Sequence, residues 1–150
     1  MSERNGRLLG LDYGKVRIGL AVTDEDRILA SPLVTYTRKN EVEDAAFLVK
    51  IIAEMKTVAI VVGLPLHSNG SESEISQEAR NFGEWLKQLT GLPVIFWDER
   101  FTTDRAEEAL LGAKMNSRER KSRRDRGAAQ MILQAYLEAG CPVEGMRVEG

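Results

Sequence analysis

The chain has 150 residues, of which 43% are apolar and 29% charged, and it carries a net charge of −2. These values fit one hydrophobic core and argue against a protein that coats nucleic acid through overall positive charge. No apolar run is long enough to span a membrane, no signal peptide is recognisable, and Cys141 is the only cysteine. We therefore expect a single domain over residues 1–150, with its core at about 7–139 and a tail at 140–150, in the cytoplasm and without membrane contact.

The first elements follow the pattern of a β-hairpin and a third strand. Apolar residues 8–11 lead to Asp12, a short turn follows, and the apolar pattern resumes at 18–22. The third apolar stretch, 28–37, contains Pro32, which is typical of an edge strand. Three strands with short connections predict an antiparallel meander.

The pattern then changes to helix and strand in alternation. Apolar residues at helical spacing predict a helix over 42–53. The β-branched run 58–62 predicts a strand covered on both faces, and Gly63 is expected to stop it.

A second helix, a fifth strand and further helices complete the pattern. Ser71 and Glu74 have the spacing of a capping box for the second helix, and residues 94–97 predict a buried strand. The last helix is expected to reach about Ala139. Right-handed crossovers then predict an α/β fold with a mixed five-stranded sheet, three antiparallel strands followed by parallel ones, and helices on both faces.

Three carboxylates lie where buried elements end or begin. Asp12 ends the first strand, Glu99 directly follows the fifth, and Asp125 stands at the start of the last helix. Acids brought together raise each other's pKa unless a cation lies between them. Carboxylate oxygens favour Mg²⁺ or Mn²⁺, and two such ions about 4 Å apart support phosphodiester hydrolysis. Helical spacing places Asp125 on the apolar stripe of its helix, with Ala128, Ala129, Ile132, Leu133 and Tyr136.

Two alternatives remain open for these acids. Each could be the partner of a nearby arginine in a structural ion pair, with Arg17, Arg100 and Arg126 available. Asp98 is a possible accessory ligand beside Glu99, because adjacent residues of a strand point to opposite faces.

Basic residues near these acids are candidates for contact with nucleic acid. Residues 117–126 contain six basic and two acidic side chains, which could equally form a solvated helix face. Aromatic residues make up 6% of the chain, and Phe96, Trp85 and Trp97 are expected in the core, which favours recognition of backbone and shape. The candidate contacts are Lys15, Arg17, Arg100, Lys121, Arg123 and Arg124.

Four motifs follow one another along the chain. They are residues 12–19 (DYGKVRIG), 61–66 (VVGLPL), 98–103 (DERFTT), and Asp125 followed by Ala128, Ala129 and residues 132–134. In this order they resemble the YqgF family, also called RuvX, of the ribonuclease H-like superfamily, over about residues 7–137. The resemblance implies a ribonuclease H-like fold and a metal-dependent nuclease site whose acids map to Asp12, Glu99 and Asp125.

The resemblance also implies a hydrolase that matures the 5′ end of precursor 16S ribosomal RNA, with ribosomal precursor particles as partners. Cleavage of a four-way DNA junction is the alternative, and it would need two sites on a dimer. A non-catalytic RNA-binding module is another. An actin-like or sugar-kinase-like ATPase shares the Asp-x-Gly turn, but a chain of 150 residues cannot supply its second domain.

Overall fold

The computed structural model describes residues 6–101 and 127–142 of the chain. Of these residues, no helix is both long enough and apolar enough to span a membrane. The elements are β1 (Arg7–Asp12), β2 (Arg17–Thr23), β3 (Ala30–Thr37), α1 (Glu41–Met55), β4 (Thr57–Leu64), α2 (Glu74–Thr90), β5 (Val94–Asp98), a short 3-10 turn (Glu99–Phe101) and α3 (Ala128–Glu138).

The five strands form one mixed sheet in the order β3-β2-β1-β4-β5. The β1–β2 and β2–β3 pairs are antiparallel, whereas β1–β4 and β4–β5 are parallel. The predicted sheet is therefore confirmed. Because β1, β4 and β5 run in the same direction, their carboxyl ends meet at one edge, where Asp12 ends β1 and Leu64 pairs with Asp98.

β3 is the edge strand that Pro32 predicted. Pro32 lies opposite Ala21, whereas Val34 lies opposite the neighbouring residue Leu20, so Leu33 is an extra residue in β3. Such a bulge bends the edge strand and interrupts its ladder of hydrogen bonds. An edge position also tolerates the missing N–H of proline.

Helices cover both faces of the sheet, as predicted. Alternate residues of β4 belong to different cores, with Val61 packed on the α3 side and Val62 on the side of α1 and α2. This double coverage explains the continuous β-branched run. A Cβ atom on Gly10 would lie only 2.8 Å from Leu133 Cβ, so the glycine allows α3 to pack closely against β1.

Two buried glutamines join α3 to the edge strand. The backbone N–H of Ala30 donates to Gln134 Oε1 over 2.8 Å, and Gln130 Nε2 donates to the carbonyl of Ala30 over 3.0 Å. A buried backbone group without a partner is costly, so these bonds set the position of α3 across the sheet.

Two local predictions were wrong. β4 does not stop at Gly63 but continues to Leu64, because Gly63 pairs with Trp97 of β5. The capping residue of α2 is Ser73, whose side chain accepts from the backbone N–H of Ser76 in a capping box. Ser71 is instead bonded to Asn69 Oδ1 in the preceding turn.

Candidate active site

Asp12 lies at the carboxyl end of β1 with its side chain on the α3 face. It is opposite Gly19 of β2, where an added Cβ would lie 3.6 Å from Asp12 Cβ and 3.7 Å from Ala129 Cβ. The carboxylate therefore stands beside the start of α3. Burial raises the pKa of Asp12 above its ordinary value.

Glu99 reaches back from the end of β5 over the neighbouring strand. A Cβ on Gly63 would lie 2.7 Å from Glu99 Oε2 and 2.6 Å from Ile132 Cδ1. The carboxylate thus occupies the space that the missing side chain leaves. Sequence reasoning missed this role, although a glycine within a buried β-branched run is a known sign of close approach.

Glu99 is affected both by burial and by the neighbouring acids. The pKa of Glu99 rises to about 7, first because the side chain is buried and then because the negative charges of Asp12 and Asp98 are near. Neither Asp12 nor Glu99 forms an ion pair or a side-chain hydrogen bond within residues 6–101 and 127–142. Among the residues that the structure describes, these two neighbouring acids at the edge of the sheet therefore have no cationic partner.

Asp98 has a different environment from Glu99. Its carboxylate accepts two hydrogen bonds from Arg100 Nε, at 3.1 and 3.0 Å, and pairs with the outer nitrogen of the same guanidinium. Arg100 also donates to the carbonyl of Ser68 over 3.1 Å, which links it to the loop after β4. Asp98 is thus neutralised by Arg100, and Glu99 is not.

Lys15 and Arg17 share one cleft with Asp12. The cleft has a volume of about 790 Å³ and extends from Asp12 along β2 and β3 to the start of α3. The Lys15 side chain is 64% exposed and pairs with Glu78 over 3.4 Å. The structure therefore brings two of the predicted basic residues next to the acid, while Arg100 is bonded to Asp98.

Four predicted residues lie outside the described residues, namely Lys121, Arg123, Arg124 and Asp125. The described last helix begins at Ala128, and Gly127 before it has the non-helical angles φ −123° and ψ 30°. The predicted start at Asp125 lies outside the described residues. The stripe predicted from Asp125 is buried at Ala129, Ile132, Leu133 and Tyr136. Within the described part of the chain, no group of three His, Cys, Asp or Glu side chains is arranged to hold a metal.

The raised pKa of Glu99 predicts a pH dependence of stability. Below the ordinary value of 4.5 the group is protonated in both states, whereas between 4.5 and about 7 only the unfolded chain loses the proton. The free energy of unfolding therefore falls as pH rises through this window and stays lowered above it. In chelator-containing buffer, the melting temperature of Glu99→Gln relative to the unaltered protein should rise across the window and then level off.

Thermal unfolding at a series of pH values checks this expectation. Glu84→Gln is a matched control, because Glu84 is exposed on α2. A difference between Glu99→Gln and the unaltered protein that stays constant with pH would contradict it.

The sheet order, the helices on both faces and the acids at the carboxyl edge define a ribonuclease H-like fold. The architecture is shared with a solved structure of Thermus thermophilus RuvC in complex with a Holliday junction substrate, with a TM-score of 0.55 and 16% identity. The alignment covers 90% of this chain and 96% of that one. A likeness at this level of identity establishes the fold.

The chain belongs to the RuvX family. Residues 6–139 match the family model described as "RuvX: Holliday junction resolvase". A protein of Rhodopirellula baltica named "Putative pre-16S rRNA nuclease" is 45% identical over 89% of this chain and 78% of its own length. A protein of Koribacter versatilis with the same name is 45% identical over 91% of this chain and 90% of its own. The predicted family is confirmed.

Proposed function

We propose that this protein is a divalent-metal-dependent nuclease that hydrolyses phosphodiester bonds in the 5′-end processing of precursor 16S ribosomal RNA. The observation that carries the proposal is the pair of half-buried acids Asp12 and Glu99 at the carboxyl edge of the sheet, which have no cationic partner in the described part of the chain. Two neighbouring acids without a cationic partner destabilise a folded protein unless a bound cation stabilises their negative charges. The names of the curated relatives support RNA as the substrate.

The donor set fits a hard divalent cation. Asp12 and Glu99 offer only carboxylate oxygens, which suit Mg²⁺ or Mn²⁺, and we assign Asp125 as a third ligand. Asp98, which Arg100 neutralises, is at most an accessory ligand. When bound, two such ions polarise the phosphate and activate a water molecule.

The chain's own residues position the acids and the nucleic acid. The Glu99 carboxylate lies in the space that the missing side chain of Gly63 leaves. Gly19 likewise has no side chain next to Asp12. Arg17 lines the Asp12 cleft, where its charge would hold backbone phosphates, and Lys15 could join it by giving up its exposed ion pair with Glu78. Arg100 and, from the sequence, the basic residues flanking Asp125 (Lys121, Arg123 and Arg124) are also proposed to contact the substrate strand.

Resolution of Holliday junctions is the second candidate function. It is favoured by the description of the matching family model. A resolvase cuts two strands of one junction, so it would need two sites on a dimer. An RNA nuclease can act as a monomer, and it would meet its substrate in ribosomal precursor particles.

A substrate panel tests the proposal. Precursor 16S RNA, generic single-stranded RNA and a four-way DNA junction are incubated with the protein in Mg²⁺, in Mn²⁺ and in chelator. We expect metal-dependent cleavage of the precursor near its mature 5′ end, and little cleavage of the junction. Cutting of the junction alone favours the second candidate, whereas cleavage that persists in both Asp12→Asn and Asp125→Asn would reject the assigned site.

A further inference from the structure

A second cleft, of about 550 Å³, opens on the opposite face of the sheet from the Asp12 carboxylate. Its volume is in the usual range of ligand sites. Tyr13, the residue after Asp12 in the chain, lines this cleft. Lys15 lines both this cleft and the Asp12 cleft. A nucleic-acid strand held at Asp12 can therefore cross the β1–β2 turn at Lys15 and enter this cleft.

Aromatic rings form one side of the cleft. The rings of Tyr13 and Phe82 are 5.3 Å apart, and those of Phe82 and Trp85 are 5.1 Å apart. The Arg38 guanidinium lies over the rings of Tyr13 and Phe82, 5.3 and 5.2 Å from their centroids. Trp85 packs against the core on this side of the sheet, as predicted, and its partly exposed side chain also lines the cleft. Phe82 is buried, so the partly exposed Tyr13 and Trp85 are the rings of this group that an unpaired base can reach.

The charges in the cleft balance. Arg38 Nε faces Asp44 at 3.5 Å, and Lys15 pairs with Glu78 at 3.4 Å. With Lys39 and Glu41, which also line the cleft, the lining holds three basic and three acidic residues. A site for phosphate would carry excess positive charge, so this cleft is better suited to a neutral, planar group.

Polar side chains in the cleft can form hydrogen bonds with the edge of a neutral, planar ligand. Asn81 is exposed on α2 and lines the cleft, and its side-chain amide has no hydrogen bond to any other residue that the structure describes. The Glu78 carboxylate accepts from the Tyr13 hydroxyl over 3.3 Å and keeps further acceptor capacity. Amide and carboxylate groups are suited to the hydrogen-bonding edges of nucleobases.

We propose that this cleft is a base-binding subsite, which takes an unpaired nucleobase of the substrate strand next to the cut. The inference rests on the proposed nuclease function and narrows its substrate to nucleic acid that is single-stranded beside the scissile bond. A fully paired flank could not offer a free base to Asn81 and Trp85.

The fluorescence of Trp85 provides a direct test. The chain has two tryptophans, and Trp97→Phe leaves Trp85 as the only one. Because Trp97 Nε1 has no hydrogen-bond partner among the described residues, this change removes no described hydrogen bond. Short single-stranded oligoadenylate is titrated in chelator-containing buffer, and its binding is followed separately by the anisotropy of a labelled copy.

We expect oligoadenylate to quench Trp85 and an abasic oligomer of the same length to bind at least about tenfold more weakly without quenching. Asn81→Ala should raise the Kd for oligoadenylate by roughly three- to tenfold, the effect of one lost hydrogen bond. The matched control is Gln88→Ala on the same helix, since Gln88 is exposed and does not line the cleft. Its Kd should not change.

The outcomes separate the subsite from the proposed function. Equal affinity for the abasic oligomer, or an unchanged Kd in Asn81→Ala, would overturn the subsite. RNA binding and metal-dependent cleavage without quenching of Trp85 would also overturn it and leave the nuclease function standing. The absence of both RNA binding and cleavage would overturn the two together.

Discussion

Replacing Asp12 with asparagine is expected to lower the rate of phosphodiester cleavage by at least about a thousandfold while leaving the fold intact. The charge stabilisation that a metal ion supplies is worth several kcal/mol. A loss of about 4 kcal/mol corresponds to about three powers of ten in rate, at about 1.4 kcal/mol per tenfold. Single-turnover cleavage of labelled precursor RNA in Mg²⁺ measures the effect.

The thermal stability of Asp12→Asn without metal should rise, although its cleavage rate falls. Burial raises the pKa of Asp12, so its negative charge destabilises the metal-free fold at neutral and higher pH. Asp12→Asn should therefore melt at a higher temperature than the unaltered protein in chelator. Asp26→Asn is the matched control, since Asp26 lies exposed in a turn and should change neither property. Undiminished cleavage by Asp12→Asn would exclude Asp12 as a metal ligand.

Replacing Gly63 with alanine is expected to reduce cleavage by about a hundredfold, because a displacement of about 1 Å at a catalytic group has this effect. The added Cβ would stand 2.7 Å from Glu99 Oε2, so the carboxylate must move. It would also stand 2.6 Å from Ile132 Cδ1, and such overpacking costs about 1–3 kcal/mol of stability. Cleavage rate and denaturant unfolding are measured on the same preparations.

A double variant separates the two effects. Ile132→Val removes the Cδ1 atom, so Gly63→Ala with Ile132→Val should recover much of the stability but not the activity. Ile132→Val alone is the control, with an expected cost of about 0.5–1.5 kcal/mol and little loss of cleavage. Full recovery of activity in the double variant would show that the position of Glu99 is not what Gly63 protects.

Local patterns predicted most of the sheet. The turn after Asp12, Pro32 at the edge and the β-branched run of β4 each reflect a preference of the backbone over a few residues. The prediction of the residue that caps α2 was wrong, because two serines with similar capping preference compete there. Ser71 and Ser73 both precede α2, and the choice between them depended on Asn69, which bonds Ser71.

In the described part of the candidate site, the positions of single acids could be predicted from the sequence, but their arrangement could not. The positions of Asp12 and Glu99 follow from the ends of their strands, and the two faces of a strand gave reason to separate Glu99 from Asp98. That Arg100 neutralises Asp98 and not Glu99 depends on side-chain geometry, which no spacing in the sequence determines. The same holds for Trp85, because its helical spacing predicts the contact with the core but not that the side chain also lines a cleft.

By itself, the sequence determined the order of the elements, the mixed sheet and the acidic ends of β1 and β5, because periodicity, prolines and turn residues act over short stretches of chain. Only the tertiary structure decided that Gly63 makes room for Glu99, since the register of β4 against β5 sets which residues meet across the sheet. Only the tertiary structure, likewise, joined Tyr13, Lys15 and Trp85 in one cleft. Residues far apart in the chain come into contact through packing, and packing is the sum of many small interactions over the whole fold.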